Sequence, residues 1–235
     1  MQINFSLYPE KLCLDESIAK KVKGVLKLYL ITLGFSAIFA IPALILNSFI
    51  ASQYHFSIMK NNGAFSNNMT LQFRYLIIPF IGPLIEEILF RLWQDYKVRN
   101  IVISLTLLIF EIFHFFSFKN YASNYNFLPF ITHISICAIV CVIAAIPFYK
   151  FGTIGLSEKN RKKIFFLSAL VFGLIHISNY ATLHYQVLYI YPIFVLPQIV
   201  MGFTIGYARL TYGFVWGFLL HVIINLPTAI FNFHH

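Results

Sequence analysis

The sequence predicts an all-α fold, a polytopic transmembrane helical bundle of about seven spans with its N-terminus in the cytoplasm. Three observations carry that reading. The 235 residues are 59% hydrophobic and only 11% charged, whereas soluble domains run nearer half apolar and a quarter charged. The apolar residues fall in runs of about 20, the length a helix needs to cross the hydrocarbon core. The lysines and arginines gather at alternate ends of those runs, as they do where the cytoplasmic side holds the positive charge.

Taken in order, the N-terminal segment 1–26 is cytoplasmic. It carries Lys11, Lys20, Lys21, Lys23, Glu10, Asp15 and Glu16, with no small-residue cleavage site after a short apolar core. The first hydrophobic segment is therefore expected to stay as a span. Spans are predicted at 27–50, 73–93, 100–118, 128–149, 164–181, 187–208 and 213–232. All are read as helices, because a lone strand cannot satisfy its backbone in lipid. The polar stretch Ser52 to Gln72 connects the first two spans, and its Asn68-Met69-Thr70 sequon reflects local polarity. With no repeat, low-complexity tract or soluble domain, residues 1–235 are read as one integral-membrane domain.

The formal net charge is +9, but its distribution points to lipid rather than nucleic acid. Basic residues sit at span ends, where they meet anionic headgroups, and no basic stripe is interleaved with exposed aromatics. With the N-terminus inside, thirteen Lys and Arg fall on cytoplasmic segments. Lys60, Arg74 and Lys119 fall outside, and Arg91 lies within the second span. That asymmetry supports seven spans as well as the orientation, since dropping one span scrambles the alternation. Cys137 and Cys141, one helical turn apart in an apolar run, and Cys13 read as packing residues.

Ionisable side chains at membrane depth cost roughly 3 kcal/mol each on insertion scales, so each is a functional candidate. Glu86 and Glu87 point about 100° apart on a helix, and Arg91 lies four residues after Glu87 on the same face. Arg91 is thus placed to neutralise Glu87 as a structural pair, leaving Glu86 to face a cavity as a base. The competing reading is a salt-bridged polar staple without chemistry. Phe172 and His176 share a face four residues apart, and Gly173 allows a neighbouring helix close approach. His221 and Asn225 share one face of the last span. Counting from the cytoplasmic end, Glu86 and His221 sit at about 10–12 Å depth and His176 at about 18 Å, depths from which three helices could present them to one cavity. A lone histidine in such a helix more often serves packing. Glu111 and His114, at i, i+3, form half of a carboxylate-bridged di-metal motif. No second copy exists in the sequence, so they read as a local hydrogen-bonded pair or as a support to residues of the site. His133 is assigned to the interface and His184 to a short outside loop; His234 and His235 end the sequence. None of these four is given a role.

Three motifs now stand in order: Glu86-Glu87-x-x-x-Arg91, Phe172-x-x-x-His176 and His221-x-x-x-Asn225. Together they resemble the CAAX-protease and bacteriocin-processing family (CPBP, or Abi) of intramembrane endopeptidases. "FGLIHISNY" and "GFTIGYARLTYGFVWGFLLHVIINL" are similar to that family's second and last motif regions, and the likeness covers roughly residues 75–95 and 164–230. One departure is that two hydrophobic segments intervene before His176, where most relatives have a few tens of residues. Phe110-x-x-x-His114 falls at the shorter distance. His176 is preferred because Gly173 and Ile177-Ser178-Asn179 match the fuller motif and "FEIFHFF" does not.

The resemblance implies hydrolysis of peptide bonds in membrane-associated proteins or peptides, with the catalytic motifs inside 73–232. Glu86 and Glu87 form the acidic motif; Glu86, helped by His176, activates water, and His221 and Asn225 stabilise the oxyanion. Arg91 and Phe172 support the site. It implies no cofactor, with zinc as the less favoured alternative: two histidines and a glutamate can hold catalytic zinc with an open position, but no His-Glu-x-x-His helix exists here. Membrane lipid and a protein or peptide substrate are the expected partners, and a bacterial inner (cytoplasmic) membrane is the expected location. Two other classes stay open: a transporter or channel with a buried Glu/His ion path, and a non-catalytic membrane scaffold.

Overall fold

The structure, a computed structural model, describes residues 8–9, 13–59, 73–121, 127–180 and 183–231, with backbone alone at 73–74, 113–121, 127–130, 228–229 and 231. The described residues are helical apart from turns and one isolated antiparallel bridge, Lys97 to Thr153. We number the principal helices α1 (Ile18–Tyr54), α2 (Gly82–Phe90), α3 (Val98–Tyr121), α4 (Phe127–Ala145), α5 (Glu158–Ile175), α6 (Leu196–Tyr212) and α7 (Phe214–Phe231). Four helical stretches are long and apolar enough to cross a membrane: Ile18–Tyr54, Ile131–Phe148, Glu158–Asn179 and Tyr185–Tyr212. Phe214–Pro227 is a shorter apolar helix. Large apolar side chains such as Leu30, Ile38, Ile45 and Val142 lie on the outside, as expected where the solvent is hydrocarbon. By length and composition this is an all-helical membrane protein.

Residue contacts divide the chain into two compact units. The first comprises Met1–Asn67, Lys162–Ile224 and His234–His235; the second comprises Asn68–Arg161 and Asn225–Phe233.

In the first unit α1 packs along α6. Thr32 and Thr204, both buried, meet hydroxyl to hydroxyl at 2.7 Å. Each also bonds a carbonyl one turn earlier on its own helix, so no polar hydrogen is stranded in the apolar contact. The α5–α6 contact is built on glycine. A Cβ at Gly202 would lie 2.6 Å from the Ala169 carbonyl oxygen, one at Gly206 2.9 Å from the Phe165 ring, and one at Gly173 2.2 Å from the Ile199 side chain. Backbones this close need small residues at the crossing. The second half of α1 packs through Ala43 and Ile50 on Tyr180, Val187, Tyr191 and Phe194, an apolar core closed by Val195.

In the second unit α3 and α4 pack side by side, with Leu107, Cys137 and Cys141 buried between them and Ile85, Ile88 and Leu89 of α2 against the same cluster. The Ser104 hydroxyl donates to the Ile88 carbonyl at 2.6 Å, tying α3 to α2. At the end of α2 the chain turns through Tyr96 in the left-handed region (φ 60°). It is held there by Ile154 N–H donating to the Tyr96 carbonyl at 2.8 Å and Val98 N–H to the Gly152 carbonyl at 3.2 Å.

Three predicted spans are not single regular helices. The stretch read as 73–93 is a π-helix over Phe73–Ile81, then α2, then a 3₁₀ turn over Leu92–Asp95. Pro79 has no N–H to give an α-helical ladder, and it lies inside the π segment. The stretch read as 187–208 begins with a 3₁₀ segment over Tyr185–Ile190, non-helical at Val187, and becomes regular only in α6. The stretch read as 164–181 leaves the α form after Ile175. The first helix is longer than expected, beginning at Ile18 rather than at residue 27. The sequon Asn68-Met69-Thr70 and His234-His235 lie outside the described residues.

Candidate functional site

The acidic motif sits on α2. Glu87 and Arg91 are both buried (0% and 1% exposed) and form an i, i+4 ion pair. Arg91 is also the residue after the helix, and its N–H donates to the Glu87 carbonyl at 3.0 Å. The remaining carbonyls at this helix end are taken by side chains: Trp93 Nε1 donates to Leu89 at 3.0 Å and Gln94 Nε2 to Phe90 at 2.9 Å. Helix-end carbonyls are costly to leave bare away from water. The sequence "FRLWQD" therefore encodes a C-terminal cap in which the charge pair and the amide donors share the work. Glu86 is half-buried, and Oε2 of each glutamate is shielded from solvent. The expected Glu87–Arg91 pair is formed.

The second cluster lies on the other unit, around Phe172. Its ring is fully buried and lies 4.8 Å, centroid to centroid, from the His176 imidazole. The His221 imidazole meets the same ring edge-on at 5.7 Å, and His221 is itself buried. Phe172 and His176 do share a face, yet His176 is not α-helical. It opens the 3₁₀ turn His176–Asn179 that follows α5. There its Nδ1–H donates to the Phe172 carbonyl at 2.7 Å. A carbonyl can only accept, so the proton of the neutral ring resides on Nδ1 and Nε2 is the accepting nitrogen. Asn225 lies one turn after His221 on α7 and is half-buried.

Two groups that the sequence reading placed elsewhere come together between α3 and α4. Glu111, expected to pair with His114, has its Oε1 3.9 Å from Nε2 of His133, and the Phe110 ring lies 4.8 Å from the same imidazole. The side chain of His114 lies outside the described residues. Nothing in the spacing could have shown this pairing, which joins residues of two helices. His184, assigned to a loop, stacks on Phe56 with ring centroids 3.5 Å apart, and its N–H donates to the Tyr191 hydroxyl at 3.0 Å.

Among the described residues no group of three or more His, Cys, Asp or Glu side chains is arranged to hold a metal ion, so no zinc step is derived. Comparison with known protein families, curated proteins and solved structures finds no match to this chain.

Proposed function

We propose that the chain is an intramembrane endopeptidase of the CAAX-protease and bacteriocin-processing type, cleaving a peptide bond in a membrane-associated protein or peptide. The observation that carries the reading is the unequal treatment of two adjacent glutamates. Arg91 pairs with Glu87 by side chain and backbone alike, which supports reading Glu86 as the base. Glu86 takes the proton of the attacking water. His176, with Nδ1 committed to Phe172, offers Nε2 to accept a proton and return it to the leaving amine. His221 and Asn225 donate to the oxyanion, where preorganised donors count for more than solvated ones. Phe172 holds the two imidazoles. No metal enters this scheme.

The same proposal includes topology. The four helices long enough to cross are joined by the apolar stretches 73–93, 100–118 and 213–232 to give seven spans, N-terminus cytoplasmic and C-terminus outside, in a bacterial inner membrane. Thirteen basic residues against three support that orientation.

Broken helices, here at Ile81–Gly82 and at Val195, also accompany transport sites. Comparing the membrane proteomes of cells carrying the wild-type chain and Glu86→Gln separates the readings. Cleavage products that depend on Glu86 support the peptidase. Identical proteomes with altered ion uptake support transport and sink the peptidase.

A further inference from the structure

The beginning of α1 is built differently from the rest of that helix. At 37 residues it is about 55 Å long, whereas a bilayer with both headgroup layers measures about 40–45 Å. The apolar run read from the sequence covers 27–50, so most of the surplus falls on the N-terminal turns. Leu14, Ile18, Val22, Leu26 and Leu30 repeat every four residues and are 41–74% exposed, so an apolar stripe runs beyond the length a span requires. Beside it, Lys20, Lys23 and Lys27 at i, i+3, i+7 form a second, basic ridge, all exposed. Val25 and Thr32 face inward and are buried. These turns thus have three faces: protein, apolar and cationic.

Lys21 does not belong to the ridge. Its Nζ donates to the Leu14 carbonyl at 2.5 Å, folding it back on the chain. None of Lys20, Lys23 and Lys27 has a hydrogen-bond or ion-pair partner among the described residues. Asp15 and Glu16 precede the helix rather than punctuate the ridge. Apolar side chains as exposed as Ile18 next to three unsatisfied ammonium groups suit one environment, the boundary where acyl chains end and phosphates begin. We infer that the Lys20–Lys23–Lys27 ridge is a binding site for anionic phospholipid, with the Leu14–Ile18–Val22–Leu26 stripe seated against the acyl chains and the ammonium groups on the headgroup phosphate. This site goes beyond the proteolytic reading and does not depend on it.

The test uses the full-length protein in lipid nanodiscs or micelles, with a fluorescent phosphatidylglycerol as probe. Unlabelled phosphatidylglycerol, phosphatidylcholine and inorganic phosphate serve as competitors. Each lysine near an anionic surface contributes enough that losing three weakens binding on the order of a hundredfold. The expected result is displacement by phosphatidylglycerol only. The triple variant Lys20→Gln, Lys23→Gln, Lys27→Gln should lose the probe to that extent, and the triple lysine-to-arginine variant should keep it. Lys159→Gln, Lys162→Gln, Lys163→Gln removes the same charge elsewhere and should keep the probe. Should the first variant fail to fold, wild-type binding must still fall steeply as salt rises. Equal displacement by phosphatidylcholine, displacement by phosphate alone, salt-independent binding, or the same loss in both glutamine variants would each overturn the site.

Discussion

Arg91 closes on Glu87 twice, once through its guanidinium and once through its backbone N–H, which donates to the Glu87 carbonyl at 3.0 Å. The first contact holds a buried charge and the second ends a helix. Glu87→Gln keeps the backbone contact but leaves Arg91 without its carboxylate. Breaking a buried pair from one side costs on the order of 3–5 kcal/mol. Poor insertion and a low melting temperature are the expected outcome, and Glu87→Gln with Arg91→Gln should recover yield. Normal yield for Glu87→Gln alone would show that the pair carries no structural weight.

The hydrogen bond from His176 to the Phe172 carbonyl predicts the imidazole tautomer. Nitrogen-15 spectra of selectively labelled protein should show the neutral ring protonated at Nδ1, and a ring protonated at Nε2 would remove the proposed role. On the proteolytic reading His176→Ala abolishes turnover. His114→Ala, which lacks the fuller motif, reduces turnover only modestly or lowers abundance.

The glycines of the first unit separate close packing from chance. An alanine Cβ at Gly173 meets Ile199 side chain and backbone at 2.2–2.7 Å, whereas at Gly34 nothing lies within 4 Å. Gly173→Ala should destabilise by about 1–3 kcal/mol through overpacking. Gly34→Ala should leave the melting temperature unchanged or slightly raised, because alanine is the better helix former. Equal melting temperatures would mean that α5 and α6 do not meet as closely as described.

Much of this was legible in the sequence because it is local. The Glu87–Arg91 pair and the Phe172–His176 ring contact both follow from a four-residue spacing, although Arg91 ends α2 and His176 opens a 3₁₀ turn. Helix positions followed from runs of apolar residues. Apart from the close approach read at Gly173, which Ile199 makes, contacts between helices were not legible. The approach of Glu111 to His133 joins two helices, and spacing along one helix carries no information about that. Gly202 and Gly206 were passed over for the same reason, since only the facing Ala169 and Phe165 reveal their purpose. Pro79 and Pro83 were visible, but whether a proline kinks, breaks or re-registers a helix depends on how neighbouring groups satisfy the freed carbonyls. Here the ladder widens to a π form. The early start of α1 was hidden by Lys20, Lys21 and Lys23, which interrupt the hydropathy without interrupting the helix.

The proposed topology is tested by a reporter fused after His235. Activity only in an assay of the outer face agrees with seven spans. Activity in the cytoplasm removes one span and with it the assignment of Lys159 to Lys163 to the inside.

The central claim is that Glu86 is the base for peptide hydrolysis, and turnover in a purified system tests it most directly. Wild-type protein and Glu86→Gln are reconstituted in proteoliposomes with a quenched fluorescent membrane peptide drawn from the proteome comparison. The amide fills the volume of the carboxylate and leaves Glu87 with Arg91, so yield and melting temperature should match the wild type. Turnover should fall by about 10²-fold or more, the loss typical when a general base is removed. Wild-type turnover in a well-folded Glu86→Gln protein would contradict the account.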